Sequence, residues 1–137
     1  MNSENGERFS EGALYTKNTK NSEERYKGTV FLLISERTGS AAIDFASIFK
    51  FHQMGTIVGR ETYHPDSFSG NITYHSLPNS GLIFANSVTY SIAARGNDDG
   101  RGVMPDYSAK YNLEDHLNNI DRDLETVSEI VSKKENN

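Results

Sequence analysis

Five apolar residues in a row, Val30-Phe31-Leu32-Leu33-Ile34, run through a polar stretch into Thr38-Gly39-Ser40-Ala41-Ala42, where apolar residues begin to recur at helical spacing. A short apolar run bounded by turn residues has the pattern of a strand buried on both faces. Thr56-Ile57-Val58, set between Gly55 and Gly59, repeats that pattern. The order is therefore β-turn-α-β, and the fold class it predicts is α/β, with Thr56 to Val58 as the next parallel strand.

The first strand is expected over Tyr26 to Ile34. The helix is expected over Ser40 to Phe51, with Ala42, Phe45, Ala46, Ile48 and Phe49 on its apolar side. Gly70 to Leu77 and Leu82 to Ser91 flank Pro78-Asn79-Ser80-Gly81, where glycine can take positive φ, so a hairpin is predicted there. Leu113, Leu117, Ile120, Leu124, Val127 and Val131 recur every three or four residues and describe one closing helix, with Lys133 and Lys134 at its negative end. Such a stripe covers the domain's own sheet or docks on a partner; self-packing is the expectation, because helices gain most of their stability from tertiary burial. Residues 1–25 are polar and are expected to be poorly ordered or to cover a sheet edge, leaving 26–137 as the folded part. A chain of 137 residues can bury one core, and so one domain.

Fourteen basic and nineteen acidic side chains give a net charge of −5, which opposes a phosphate-backbone partner, so no nucleic-acid binding is expected. With no cysteine, disulfides and thiolate metal sites are excluded. No stretch reaches the roughly 18 apolar residues of a membrane span, and the N-terminus lacks a hydrophobic signal core. His52, His64, His75 and His116 invite a metal site, but only His64-Pro65-Asp66 groups possible ligands, and at a spacing that does not put two imidazoles on one helical face. No metal and no cofactor is expected.

Ser40 is the candidate nucleophile. A helix start leaves backbone N–H groups without intrahelical partners and favours negative charge, so the N–H of Ala41 can hold an oxyanion formed beside the Ser40 hydroxyl. The competing reading is that Ser40, or Thr38, merely caps the helix.

Four pieces of the chain carry a family resemblance: the Thr38-Gly39-Ser40-Ala41-Ala42 turn, the strand end Ile57-Val58-Gly59-Arg60-Glu61-Thr62, the hairpin turn Leu77-Pro78-Asn79-Ser80-Gly81, and the exit Gly102-Val103-Met104-Pro105-Asp106. In this order they resemble the C-terminal part of the catalytic domain of the C-terminal processing, or tail-specific, serine peptidases, over about Tyr26 to Val131. The resemblance implies part of a ClpP/crotonase-like domain, hydrolysis of peptide bonds in peptide or protein substrates through an acyl-enzyme, and an extracytoplasmic location. In the lysine-using branch a lysine base follows the Gly-x-x-Thr element, but Pro65 stands there, so the chain is more similar to the Ser–His branch typified by the tricorn and chlamydial-type proteases. Where the family often has glutamate three residues after the nucleophile, this chain has Ile43, with Asp44 next to it.

In that branch the histidine and a glycine-rich oxyanion segment lie upstream, and no histidine precedes Ser40 here. The resemblance thus implies a C-terminal portion of a larger peptidase that carries the nucleophile without the whole site, and is inactive alone. It also implies an acidic residue just before the Gly-Val-x-Pro-Asp element that orients the histidine, a place held by Asp98 and Asp99, with register favouring Asp99. The alternative for these two is a solvated turn. A further possibility is that His64, in the loop after the second strand, reaches Ser40 as base, although the family has no histidine at that position. For the whole chain, the rival class is a peptidase-like module that has lost catalysis and serves in binding or assembly.

Overall fold

The computed structural model describes residues 22–92, 94 and 99–135. Most of the polar N-terminal segment, and Asp98, lie outside the described residues.

Phe31–Ile34 (β1) and Thr56–Gly59 (β2) pair in parallel, in a register from Phe31 opposite Thr56 to Ile34 opposite Gly59. β1 is shorter than the expected Tyr26 to Ile34. The length of a strand is set by its partner, and β2 offers four residues plus one bond from the Thr56 N–H to the Val30 carbonyl at 3.0 Å. Helix α1, Ala41–Phe51, connects the two strands. A third strand was not expected: Tyr107–Ser108 (β5) joins β2 in parallel, giving the order β1-β2-β5. Two residues carry no periodicity, and β5 is anchored instead by Asp106, whose carboxylate accepts the Ile57 N–H at 2.8 Å while its own N–H donates to the Ile57 carbonyl.

The core forms where α1 meets this sheet: Ile34, Ile43, Ala46, Phe49, Ile57 and Val103 pack together, with Leu32 and Phe68 against them. The buried stripe of α1 is Ile43, Ala46, Ser47 and Phe49, whereas Ala42, Phe45 and Ile48, expected on that side, are exposed. The displacement has a polar cause. Ser47 faces inward because its Oγ accepts the Ala94 N–H at 3.3 Å, and Lys50 reaches across to the Met104 carbonyl. Counting apolar residues alone assigns Ser47 to solvent.

The hairpin is present as expected, Phe68–Ser76 (β3) antiparallel to Ile83–Ser91 (β4), closed by a turn in which Gly81 has φ 70° and donates to the Leu77 carbonyl at 2.9 Å. Its two faces carry exposed Ile72, Tyr74, Ile83, Phe84, Val88 and Tyr90.

The single closing helix is in fact two, Leu113–Leu117 (α2) and Arg122–Glu135 (α3). Asn119 takes φ 54° at the break, and Asp121 accepts the Leu124 N–H at 3.1 Å. Asn and Asp compete with helix by bonding to nearby backbone, and two asparagines and an aspartate fall at 118–121. Arg122 then folds back, its Nε donating at 2.9 Å to Asp115, a buried carboxylate that also completes the α2 capping box with Asn112. α3 packs against β2, but Leu113, Leu117 and Leu124 are exposed and the buried residue is Ile130.

Candidate active site

The site begins with the turn between β1 and α1. The Ser35 N–H donates to Thr38 Oγ1 at 3.0 Å and the Thr38 N–H returns to the Ser35 carbonyl at 2.8 Å, so the Thr38 hydroxyl is committed to the turn. The chain then passes through Ser40 with φ 53° and ψ −133°, a conformation L residues rarely adopt, and α1 starts at the next residue. Ser40 holds the N-cap position, yet its hydroxyl makes no capping hydrogen bond. Capping therefore does not explain the serine. A strained strand-to-helix turn that projects an exposed hydroxyl, with the first N–H groups of a helix beside it, is the geometry of a nucleophile elbow. The Ala41 N–H belongs to the first helical turn, where the ladder supplies no acceptor.

A second segment is held against this turn. Beyond β2, Thr62 is buried, its N–H donating to the Val103 carbonyl at 3.3 Å and its Oγ1 accepting the Val103 N–H at 2.9 Å. A Cβ on Gly102 would lie 2.5 Å from Thr62 Oγ1, so only glycine permits this approach. Glu61 accepts the Gly102 N–H at 3.0 Å and takes a fork from Arg101 at 2.8 and 2.7 Å; the guanidinium, with the Gly102 N–H, holds its carboxyl at about 2. The Tyr63 N–H donates to the Thr38 carbonyl at 2.9 Å and docks the loop onto the serine turn.

That docking brings His64 to Ser40. The Ser40 N–H donates to His64 Nε2 at 3.1 Å, while Nδ1 lies 2.8 Å from the Pro65 carbonyl. Both contacts are hydrogen bonds in one tautomer only, with the proton on Nδ1 and the lone pair on Nε2. The ring packs on Phe68, centroids 4.6 Å apart. Asp44, in the first turn of α1, has its carboxyl raised by burial, with the imidazole pulling the other way.

Asp99 sits elsewhere. Its Oδ1 accepts the Arg101 N–H at 3.0 Å, and it lines a cavity of about 380 Å³ with Ser47, Lys50, Phe51, Asp66 and Met104 among others. Ser47 and Lys50 are roughly 10–15 Å along the helix axis from Ser40. The folded chain thus joins Ser40, Ala41 and His64 and sets Asp99 beside the second half of α1. Glu61 and Thr62, which build the loop, carry no site role in the sequence reading, although both lie in the Ile57 to Thr62 element of the family resemblance; Gly102, as a glycine that needs a close neighbour, also points toward them. Among the described residues no cluster of three or more His, Asp or Glu is placed to hold a metal, and no helix is long and apolar enough to cross a membrane.

The model of peptidase family S41 matches residues 2–109. The chain belongs to peptidase family S41. The S41 match extends further toward the N-terminus than the four sequence elements do, and stops before α2. Among solved structures, this S41 chain is similar to mature CPAF, at 25% identity and a TM-score of 0.52, over 66% of this chain and 17% of that one. It is equally similar to a serine-to-alanine mutant of CPAF, at 25% identity and 0.52, over 69% and 18%. Mature CPAF complexed with lactacystin shares the fold, at 23% identity and 0.53, over 69% and 18%. The matched stretch thus spans less than a fifth of the CPAF chain. The α/β class holds, as part of the ClpP/crotonase-like peptidase fold. No curated protein matches the S41 chain.

Proposed function

We propose that Ser40 is the nucleophile of a serine endopeptidase that cleaves peptide or protein substrates through an acyl-enzyme. The observation that carries this reading is the Ser40 backbone, held at φ 53° in an S41 chain with its hydroxyl not engaged as a cap. Backbone strain of this kind costs about 1–3 kcal/mol and persists where the surroundings enforce it, typically at functional sites. The Ala41 N–H supplies one oxyanion donor, and a second comes from backbone upstream.

On this reading the described residues form the C-terminal portion of a longer tail-specific peptidase, and Asp99 is its acidic member, brought into place by segments that complete the site. Family resemblance supports that assignment and an extracytoplasmic location. Turnover by the 137-residue chain alone is expected to be negligible, since losing one oxyanion donor already costs about 10²–10³ in rate.

A fluorophosphonate probe on the longest natural form tests the reading. Labelling at Ser40, abolished by Ser40→Ala, supports peptidase chemistry, and Asp99→Asn should then lower turnover of that form. Silence of the folded protein toward the probe overturns the reading and favours a non-catalytic binding module.

A further inference from the structure

We infer that His64 is a positioning residue for Ser40: while neutral, its imidazole holds the serine backbone in the turn at φ 53°, and protonation of the ring releases it. The consequence for catalysis rests on Ser40 being the nucleophile.

The contact joins a ring to a backbone. The Ser40 N–H donates to His64 Nε2 at 3.1 Å, so the lone pair of that nitrogen is taken up in holding the turn. Nδ1 lies 2.8 Å from the Pro65 carbonyl and donates to it. An imidazolium carries a proton on both nitrogens and has no acceptor left. Protonation therefore keeps the Nδ1 bond and turns the Nε2 contact into two N–H groups facing each other. The start of α1, one residue beyond Ser40, presents the positive end of the helix dipole and opposes a cation there as well.

Ser40 is the side that yields. Its backbone conformation persists only where the surroundings enforce it. Two hydrogen bonds tie the loop to the serine turn, this one and the Tyr63 N–H to the Thr38 carbonyl at 2.9 Å, and only the first depends on the charge of a side chain. The ring, by contrast, is held from its own side: Thr62 Oγ1 donates to the His64 carbonyl at 3.3 Å, and Phe68 packs on the imidazole. Of the charged groups around it, Asp44 in the first turn of α1 is the acid that interacts with the ring's charge. Glu36 and Glu61, along the same groove, are engaged by Arg60 and Arg101. Tyr63 and Asp66 share its loop, Tyr63 with its ring edge-on to the imidazole and Asp66 buried.

The test is NMR on the full 137-residue chain as wild type, His64→Gln and His64→Ala, between pH 7.5 and pH 5, the span in which imidazoles change charge. The readout is exchange protection of the Ser40 amide, corrected for the intrinsic pH dependence of exchange, with β1 and β2 amides as the check on folding. In wild type, protection should fall roughly two- to tenfold in step with titration of the ring's own C–H resonances. His64→Gln, whose carboxamide oxygen accepts the same N–H but takes no proton, should keep protection at both pH values, and His64→Ala should lack it at both. A Ser40 amide that does not change while the ring titrates, a ring that stays neutral down to pH 5, or an equal pH step in His64→Gln each overturns the inference. On the longest natural form, fluorophosphonate labelling of Ser40 in wild type relative to His64→Gln should fall by the same factor over that range, the ratio cancelling other titrating groups. A constant ratio overturns the consequence for catalysis. If neither protein labels, the nucleophile reading fails, while the exchange measurement still decides the Ser40 contact.

Discussion

Replacing Gly59 by alanine tests how closely β1 and β2 must approach where Ile34 faces Gly59. A Cβ built on Gly59 lies 1.9 Å from the Ile34 carbonyl oxygen, where real Cβ atoms keep 3.0 Å or more, so β1 and β2 must part by about 1.1 Å. That is nearly a quarter of the ~4.8 Å spacing between strands. The Arg60 N–H, which donates to the same Ile34 carbonyl at 3.0 Å, is then drawn out of hydrogen-bond range. Gly59 also has φ 129°, a strain of about 1–3 kcal/mol for alanine. Leaving the carbonyl of buried Ile34 without its donor costs about 1–3 kcal/mol more, for a total near 2–6 kcal/mol. Urea unfolding followed by circular dichroism should show the midpoint falling with the slope unchanged. A loss below about 1 kcal/mol, with β1 and β2 amides still protected from exchange, would refute the reasoning.

Glu61 makes stability depend on acid in a defined direction. Its folded carboxyl titrates at about 2 against an ordinary 4.5, so it adds stability that is present above pH 4.5 and lost as pH falls through 2. Wild type should therefore lose more urea resistance than Glu61→Gln between pH 5 and pH 2, and parallel curves would exclude the role. Arg60 donates to Glu36 at 2.6 Å and Asp123 at 3.1 Å and lies 4.5 Å over the Tyr111 ring, so Arg60→Lys loses the planar fork and the stacking together. Amide exchange in α3 should accelerate selectively in that variant; unchanged α3 protection would show that the helix is held by its apolar contacts alone.

The parallel unit and the hairpin were legible because each announces itself locally, through an apolar run of strand length in one case and a turn sequence between two such runs in the other. α1 was legible as an element but not in its orientation. Ser47 reads as solvent-facing until the backbone N–H of Ala94 is in place to meet it. The break at Asn118–Asp121 was hidden by apolar spacing that continues across it, and the Arg122 to Asp115 contact that fixes the reversal is a tertiary fact. At the site, the sequence pointed to Ser40 and Ala41 from local rules. The approach of His64 depends on the Tyr63 bond to Thr38 and the Thr62 bonds to Val103, partners far apart in the chain. Family expectation weighed against that histidine because the family has none at that position, whereas in the folded chain its ring lies between the Ser40 N–H and the Pro65 carbonyl.

The hairpin also has a kinetic consequence. β5 completes the sheet only when Tyr107 finds Val58, 49 positions earlier, a closure costing about 3.5 kcal/mol in chain entropy. With Phe68 zipped to Ser91, the open path shrinks to ten positions before the hairpin and sixteen after it. That shortcut lowers the closure cost by about 0.5 kcal/mol. A turn that forms on the microsecond scale therefore precedes and speeds the joining of the last strand, and weakening Gly81 should slow folding more than it hastens unfolding.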